Sequence, residues 1–220
     1  MGVKESISDN LRVMKRDVKL ILKNKFLYVG LALVLFGNWL NHYSQRYLHN
    51  RIVSGETIPI LTDLIVDNLP FYEISFIYDW FSLFGSIIFI LYIIYKKKYK
   101  EIPYFLIMLG ILYIFRGVFI VLTPFGHPRN GVPTNSCFGG FSKYETGVYP
   151  SGHTGGAFLY SLMARGIFRK ILLFITVVII IALLFARGHY SIDILSGLIF
   201  AYAIYAFGEK YIKQKVVSRH

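Results

Sequence analysis

The chain has 220 residues, 55% of them hydrophobic and 16% charged. A soluble domain carries about 45–50% apolar and about 25% charged residues, so this balance, with a mean hydropathy of +0.52, excludes an ordinary soluble fold and implies a single membrane domain. The formal net charge of +12 does not predict a nucleic-acid partner, because the 24 Lys and Arg fall in short clusters between apolar runs and form no continuous face.

Residues 1–25 hold seven Lys and Arg. Among them Ile7, Leu11, Met14, Val18 and Ile21 recur at helical spacing, as in an amphipathic segment lying on an anionic cytoplasmic leaflet; simple topological charge explains the pattern equally well. So long a polar and basic stretch ahead of the first apolar run predicts an uncleaved anchor and not a secretory signal. The membrane domain is then expected over 26–208, as an all-α bundle of six transmembrane helices at 26–41, 74–95, 102–123, 153–168, 171–187 and 190–208, the first and fourth being short for a core of about 30 Å. A basic tail, 209–220, closes the sequence.

Lys and Arg number four in 96–101, three in 165–170 and four in 209–220, but only two each in 42–73 and 124–152. By the positive-inside rule both termini are expected in the cytoplasm, and loops 42–73 and 124–152 on the exoplasmic, lumenal or periplasmic side. "NHYSQRY" (41–47) reads as part of an interfacial aromatic belt, and "KKKYK" (96–100) as topological charge with anionic-lipid binding as a second possibility. Cys137, the only cysteine, allows neither an intrachain disulfide nor a cysteine-based metal cluster.

Two motifs carry chemistry. In "YPSGHTGGAF" (149–158), Ser151 is a candidate N-cap, Gly152 keeps the backbone approachable, and His153 stands beside helix N-terminal amides that attract anions. In "ARGHYSID" (186–193), His189 and Asp193 lie one turn apart, so the carboxylate can hold one ring nitrogen and aim the other. The expected topology brings both histidines to one membrane surface. A capped helix with a solvated histidine, or a plain structural hydrogen bond, would account for either motif alone.

"SGHT" (151–154) followed by "HYSID" (189–193) resembles the type 2 phosphatidic acid phosphatase (PAP2) superfamily, and within it the sphingomyelin synthase branch. "YIFRGVFIVLTPFGHP" (113–128) is similar to that branch's arginine-bearing third-helix motif, and "IPILTD" (58–63) to its Pro-Leu-Pro-Asp segment. The sequence departs from the branch at Cys137, which stands fourteen residues before Ser151 and is followed by Gly139 and Gly140 where an acidic residue is expected. It also lacks the phosphatases' Lys-x6-Arg-Pro motif, Lys143 having no such partner. The resemblance implies a PAP2-like six-helix bundle and a membrane enzyme working through a phosphohistidine, with His189 as nucleophile, Asp193 behind it and His153 as acid and base.

Within the spans, Arg116 lies about 10 Å and Asp79 about 8 Å from the same surface at 1.5 Å per residue. Their depths match and each is expected to face the bundle interior, Arg116 holding substrate phosphate and Asp79 orienting it, or the two forming a structural ion pair. Arg187 is a second candidate for phosphate, with Ser151 and Gly152 supplying amides. His127, Arg129, Lys143 and Glu145 read as solvated loop. No metal and no cofactor is expected. The expected partners are a phospholipid donor and an acceptor that is a lipid alcohol, for a transferase, or water, for a lipid phosphatase or C-type phospholipase; a non-catalytic lipid-binding subunit is the remaining alternative.

Overall fold

The computed structural model describes residues 16–17, 19–129 and 147–217. Val18, most of the amphipathic stretch before it, and Cys137, Lys143 and Glu145 lie outside the described residues. What is described is helical, with no strand. The helices are α1 (Lys25–Val53), α2 (Ser75–Tyr95), α3 (Ile102–Leu122), α4 (Gly152–Met163), α5 (Ile167–Phe185) and α6 (Ser191–Phe207), the last running through a π-turn (Gly208–Ile212) into α7 (Lys213–Val217).

Four stretches are long and apolar enough to cross a membrane: Ser75–Tyr95, Tyr99–Leu122, Ile167–Phe185 and Ser191–Val217. Two boundaries differ from the sequence expectation. α1 does not stop at residue 41 but continues through "NHYSQRYLHNRIV" to Val53. That segment is polar, yet it contains no glycine or proline, so nothing breaks the helix until Ser54 and the left-handed Gly55 at φ 91°. α4 has only 12 residues, about 18 Å at 1.5 Å per residue, instead of running to 168. Ala164 turns extended and Gly166 takes φ 63°, ψ −138°, a conformation reserved in practice for glycine, so the chain reverses there and α5 begins at Ile167.

α1 and α3 run parallel along a glycine seam. A Cβ on Gly30 would lie 2.7 Å from Leu106 Cβ, one on Gly37 2.7 Å from Tyr113 Cβ, and one on Gly117 2.7 Å from Leu40 Cγ. Small residues at such spacing let helix backbones approach where no water is present to drive association. Polar side chains tie the seam: Ser44 donates to the Gly117 carbonyl at 2.8 Å, and Asn41 donates to the Gly37 and Tyr113 carbonyls at 2.7 and 2.6 Å.

α2 packs against α5 and α4, and α4 sits between α5 and α6. Tyr92 and Tyr95 meet Phe168 at one end of α2, while Tyr78 nears Gly188 at the other, so α2 and α5 are antiparallel. α4 and α6 start side by side: the Ser151 amide donates to the Asp193 carbonyl at 3.1 Å, and Gly155 abuts Gly197. At the far end Asn24 caps α1 and also donates to the Val216 carbonyl at 3.1 Å, and Glu209 accepts from Tyr104 and Lys213. The core is lined by Tyr78, Tyr92, Tyr104, Met108, Leu159, Leu172, Ile179 and Leu183, whereas Leu35, Trp39, Ile90, Leu91, Phe174 and Val177 point outward from the bundle. An exposed apolar belt of this kind belongs against lipid.

Candidate active site

The starts of α4 and α6 lie side by side. Ser151 is the N-cap of α4, accepting from the Thr154 amide at 3.3 Å and donating to Thr154 Oγ1 at 3.1 Å. His153 follows on the first turn. α6 begins after Tyr190, and Asp193 reaches back from its first turn to accept from the Tyr190 amide at 2.9 Å. The same oxygen, Oδ2, lies 3.2 Å from His189 Nδ1. The His189 and Asp193 side chains are 3% and 0% exposed, so this pair is sealed from solvent.

The rings of His153 and His189 stand 6.1 Å apart, centroid to centroid, inclined at 67°. The two imidazoles are thus near neighbours, each carried by the start of its own helix. Burial first, then the neighbouring His153 and Arg116, hold the His189 imidazole well below its ordinary 6.5, while a hydrogen bond with the Val148 backbone opposes them. His189 is therefore neutral near pH 7, with Nδ1 held by Asp193 and a ring nitrogen also hydrogen-bonded with the Val148 backbone.

Among the described residues Asp79 and Arg116 do not form the alternative ion pair with each other. α2 lies against α4 and α5, so Asp79 meets His153, with Oδ1 at 3.3 Å from Nε2. Arg116 turns toward α1 and the irregular segment entering α4: Nη1 donates to Asn41 Oδ1 at 2.7 Å, Nε to the Pro150 carbonyl at 3.2 Å and Nη2 to the Gly147 carbonyl at 3.2 Å. Three of its five donors are thus engaged, leaving two for an anion. Gly152 is required here because a Cβ would stand 2.9 Å from Arg116 Nε. Arg187, in the left-handed region at φ 52°, bridges two loops by donating to the Leu69 carbonyl at 3.1 Å and the Arg129 carbonyl at 3.2 Å. Its Nε is buried without a hydrogen-bond partner among the described residues.

Three contributors were not singled out from the sequence. Asp63, at the end of "IPILTD", accepts from the Ser191 amide at 2.6 Å, Ser191 Oγ at 2.8 Å and the Ile65 and Val66 amides at 2.9 and 3.0 Å. It fastens loop 58–67 onto the start of α6, and Tyr190 Oη adds a contact by accepting from the Leu61 amide at 3.1 Å. Asn41 read as aromatic belt, yet it orients Arg116. His127 is not solvated loop but half-buried beside the pair: burial, then the charge of His189, lowers it to about 4, and its Nδ1 is buried without a partner among the described residues. Among the described residues no group of three or more His, Cys, Asp or Glu is arranged to hold a metal ion.

Residues 150–210 match the family model of the PAP2 superfamily C-terminal region. The matched stretch contains Ser151, Gly152, His153, Arg187, His189 and Asp193, and leaves out Asp79, Arg116 and His127. The superfamily comprises phosphatases and phosphotransferases. No curated protein matches the chain.

Proposed function

We propose that the chain is a membrane phosphotransferase that moves a phosphorylated head group from a phospholipid to a lipid alcohol through a phosphohistidine on His189, as the sphingomyelin synthase branch does. The observation that carries this reading is the pair of imidazoles 6.1 Å apart at the mouths of two parallel helices, one backed by Asp193 and the other by Asp79. In the first half-reaction His189 Nε2 attacks phosphorus, the bond to the donor's alcohol oxygen breaks, and His153 gives that oxygen its proton. In the second, His153 takes the proton of the acceptor hydroxyl, whose oxygen displaces His189 from phosphorus. Donors remaining on Arg116, with Arg187 and the amides around Ser151 and Gly152, stabilise the phosphoryl oxygens.

All six helices α1–α6 belong to the membrane in this reading, with both termini and the clusters at 96–101, 165–170 and 209–220 in the cytoplasm and the site at the opposite face. The short α4 is compatible with it because Thr154, Gly155, Ala157 and Leu159 are covered by protein and not by lipid. The test is to incubate purified protein in vesicles with a head-group-labelled phospholipid and a labelled lipid alcohol, and to follow products by mass spectrometry. A new head-group lipid plus diacylglycerol is the expected result, abolished by His189→Ala. Free phosphate from a lipid monophosphate would instead establish the phosphatase reading, a released head-group phosphate the C-type phospholipase reading, and conversion untouched by His189→Ala would defeat all three.

A further inference from the structure

The carboxylate of Asp79 has no counterpart in the chemistry assigned to His189 and Asp193. It sits within the apolar run "SFIYDWFSLFG" of α2, its side chain 5% exposed. A carboxylate in such a place is unfavourable unless paired and hydrogen-bonded. The partner it has among the described residues is His153, at 3.3 Å from Nε2. The neighbouring Tyr78, fully buried, sets its ring edge-on to the same imidazole at 5.2 Å. The His153 ring is therefore fixed on three sides: by Asp79 at Nε2, by Tyr78 across one face and by His189 at 6.1 Å.

We propose that Asp79 is the positioning residue of a second His–Asp pair, which keeps Nε2 of His153 protonated throughout the cycle and confines the transferable proton to Nδ1. The proposal rests on the phosphohistidine reading above. In a neutral imidazole one nitrogen is a donor and the other an acceptor, and the hydrogen bond made by one fixes the state of the other. With Nε2–H donating to Asp79, the Nδ1 proton is given to the leaving oxygen as the phosphorus–oxygen bond breaks. Bare Nδ1 then accepts the hydrogen of the acceptor hydroxyl as the second phosphorus–oxygen bond forms, and the proton count of the ring returns to its start. The two pairs are mirror devices: Asp193 holds Nδ1 and frees Nε2 for attack on phosphorus, while Asp79 holds Nε2 and frees Nδ1 for proton transfer.

A carboxylate that merely satisfies a buried histidine would make no distinction between leaving groups, which gives the experiment its edge. Asp79→Asn is measured on a short-chain phospholipid, whose alkoxide must be protonated as it departs, and on the 4-nitrophenyl ester of the same head group, whose phenolate departs without a proton. We expect kcat/KM for the donor, which reports the first half-reaction alone, to fall by about 10- to 100-fold on the phospholipid, at or below the lower end of general acid catalysis because His153 itself remains, and by less than about threefold on the nitrophenyl ester. Equal losses on both substrates, or none on either, overturn the proposal. His189→Ala separates this from failure of the underlying reading: it must be inactive on both substrates, and if it is not, the reading of the site fails first. Should Asp79→Asn not fold, nitrogen-15 spectra of histidine-labelled wild-type protein, assigned with His153→Gln, decide the matter. A proton on Nε2, whether or not Nδ1 also carries one, is the expected signature, and a ring protonated at Nδ1 alone refutes it.

Discussion

Replacing Gly110 by alanine tests whether the α1–α3 seam holds the site in place. A Cβ at Gly110 would stand 2.6 Å from Leu33 Cβ, 2.8 Å from Leu33 C and 2.8 Å from Val34 N. Carbon atoms rest at about 3.5–4.0 Å from one another, so α1 must retreat by roughly 0.9 Å, and two of the obstructing atoms are backbone that no rotamer change removes. Alanine gains about 1 kcal/mol of helix propensity, and overpacking costs about 1–3 kcal/mol. The larger consequence lies one turn further on. A retreat of roughly 0.9 Å carries the Asn41 bonds to the Tyr113 carbonyl and from Arg116, now 2.6 and 2.7 Å, to the limit of hydrogen bonding, a loss of about 1 kcal/mol each. The sum is about 2–4 kcal/mol, or roughly 5–15 °C in the thermal midpoint of a chain this size. The assay is thermal unfolding of the purified protein in one detergent, with lipid conversion measured alongside. Gly156→Ala, which meets nothing within 4 Å, is the matched control and is expected to melt at or above the wild-type midpoint. The reasoning is refuted if Gly110→Ala melts with the wild type, or if Gly156→Ala falls as far.

Asp63→Ala removes the acceptor of four hydrogen bonds and leaves the Ser191 amide unsatisfied beside the His189 turn. It is expected to destabilise the protein by about 3–5 kcal/mol and to expose the Ser191 amide to rapid hydrogen exchange, whereas an unchanged exchange rate would show that loop 58–67 does not brace α6. Acid should destabilise the protein in two separate windows. His127, lowered to about 4 chiefly by burial, binds a proton in the unfolded chain before it does in the folded one, so stability falls between about 6.5 and about 4, by at most about 3 kcal/mol. Burial alone would raise Asp63, but hydrogen bonds from Val66 and Ser191 outweigh it and hold the carboxyl below its ordinary 3.8, so its contribution is lost only below that pH. Thermal midpoints from pH 7 to pH 4 should decline less steeply in His127→Gln, the remaining slope belonging to His189, which is also held below its ordinary 6.5, and a decline parallel to the wild type would show that His127 does not contribute.

The parts of the fold that follow from local sequence were legible, and those that depend on which helices touch were not. Apolar run length located α2, α3, α5 and α6, and the pairing of His189 with Asp193 followed from helical spacing alone, because four residues make one turn whatever the tertiary context. The approach of His153 to His189 follows from α4 and α5 packing as consecutive helices, which returns the chain to the level at which α4 began. Depth along a span, by contrast, carries no information about direction around it. Asp79 and Arg116 lie at similar depth, yet α2 packs on α4 and α5, and α3 on α1, so the one carboxylate goes to His153 and the guanidinium to Asn41. The end of α4 was missed because "MARGIF" has no strong breaker except Gly166, whose positive φ ends the helix. His127 sits in a polar-looking loop, and only the docking of that loop over the His189 turn buries it.

The placement of the two rings at helix mouths follows from the needs of buried helix starts. The first amides of any helix lack intrahelical acceptors, and where Ser151, Thr154, His189 and Asp193 are buried, water does not supply them. Polar side chains are therefore already required where α4 and α6 begin, and here they are Ser151, Asp193 and Asp63. Each of these caps also fixes the backbone next to a histidine: Ser151 starts the turn that carries His153, Asp193 binds both the Tyr190 amide and the His189 ring, and Asp63 anchors Ser191 two residues beyond His189. Because the bond from Ser151 to the Asp193 carbonyl joins the two caps directly, neither ring can shift without disturbing the start of the other's helix. The separation of 6.1 Å is thus set by backbone hydrogen bonding at the two helix starts together with the contacts that Asp193, Asp79 and Tyr78 make with the rings.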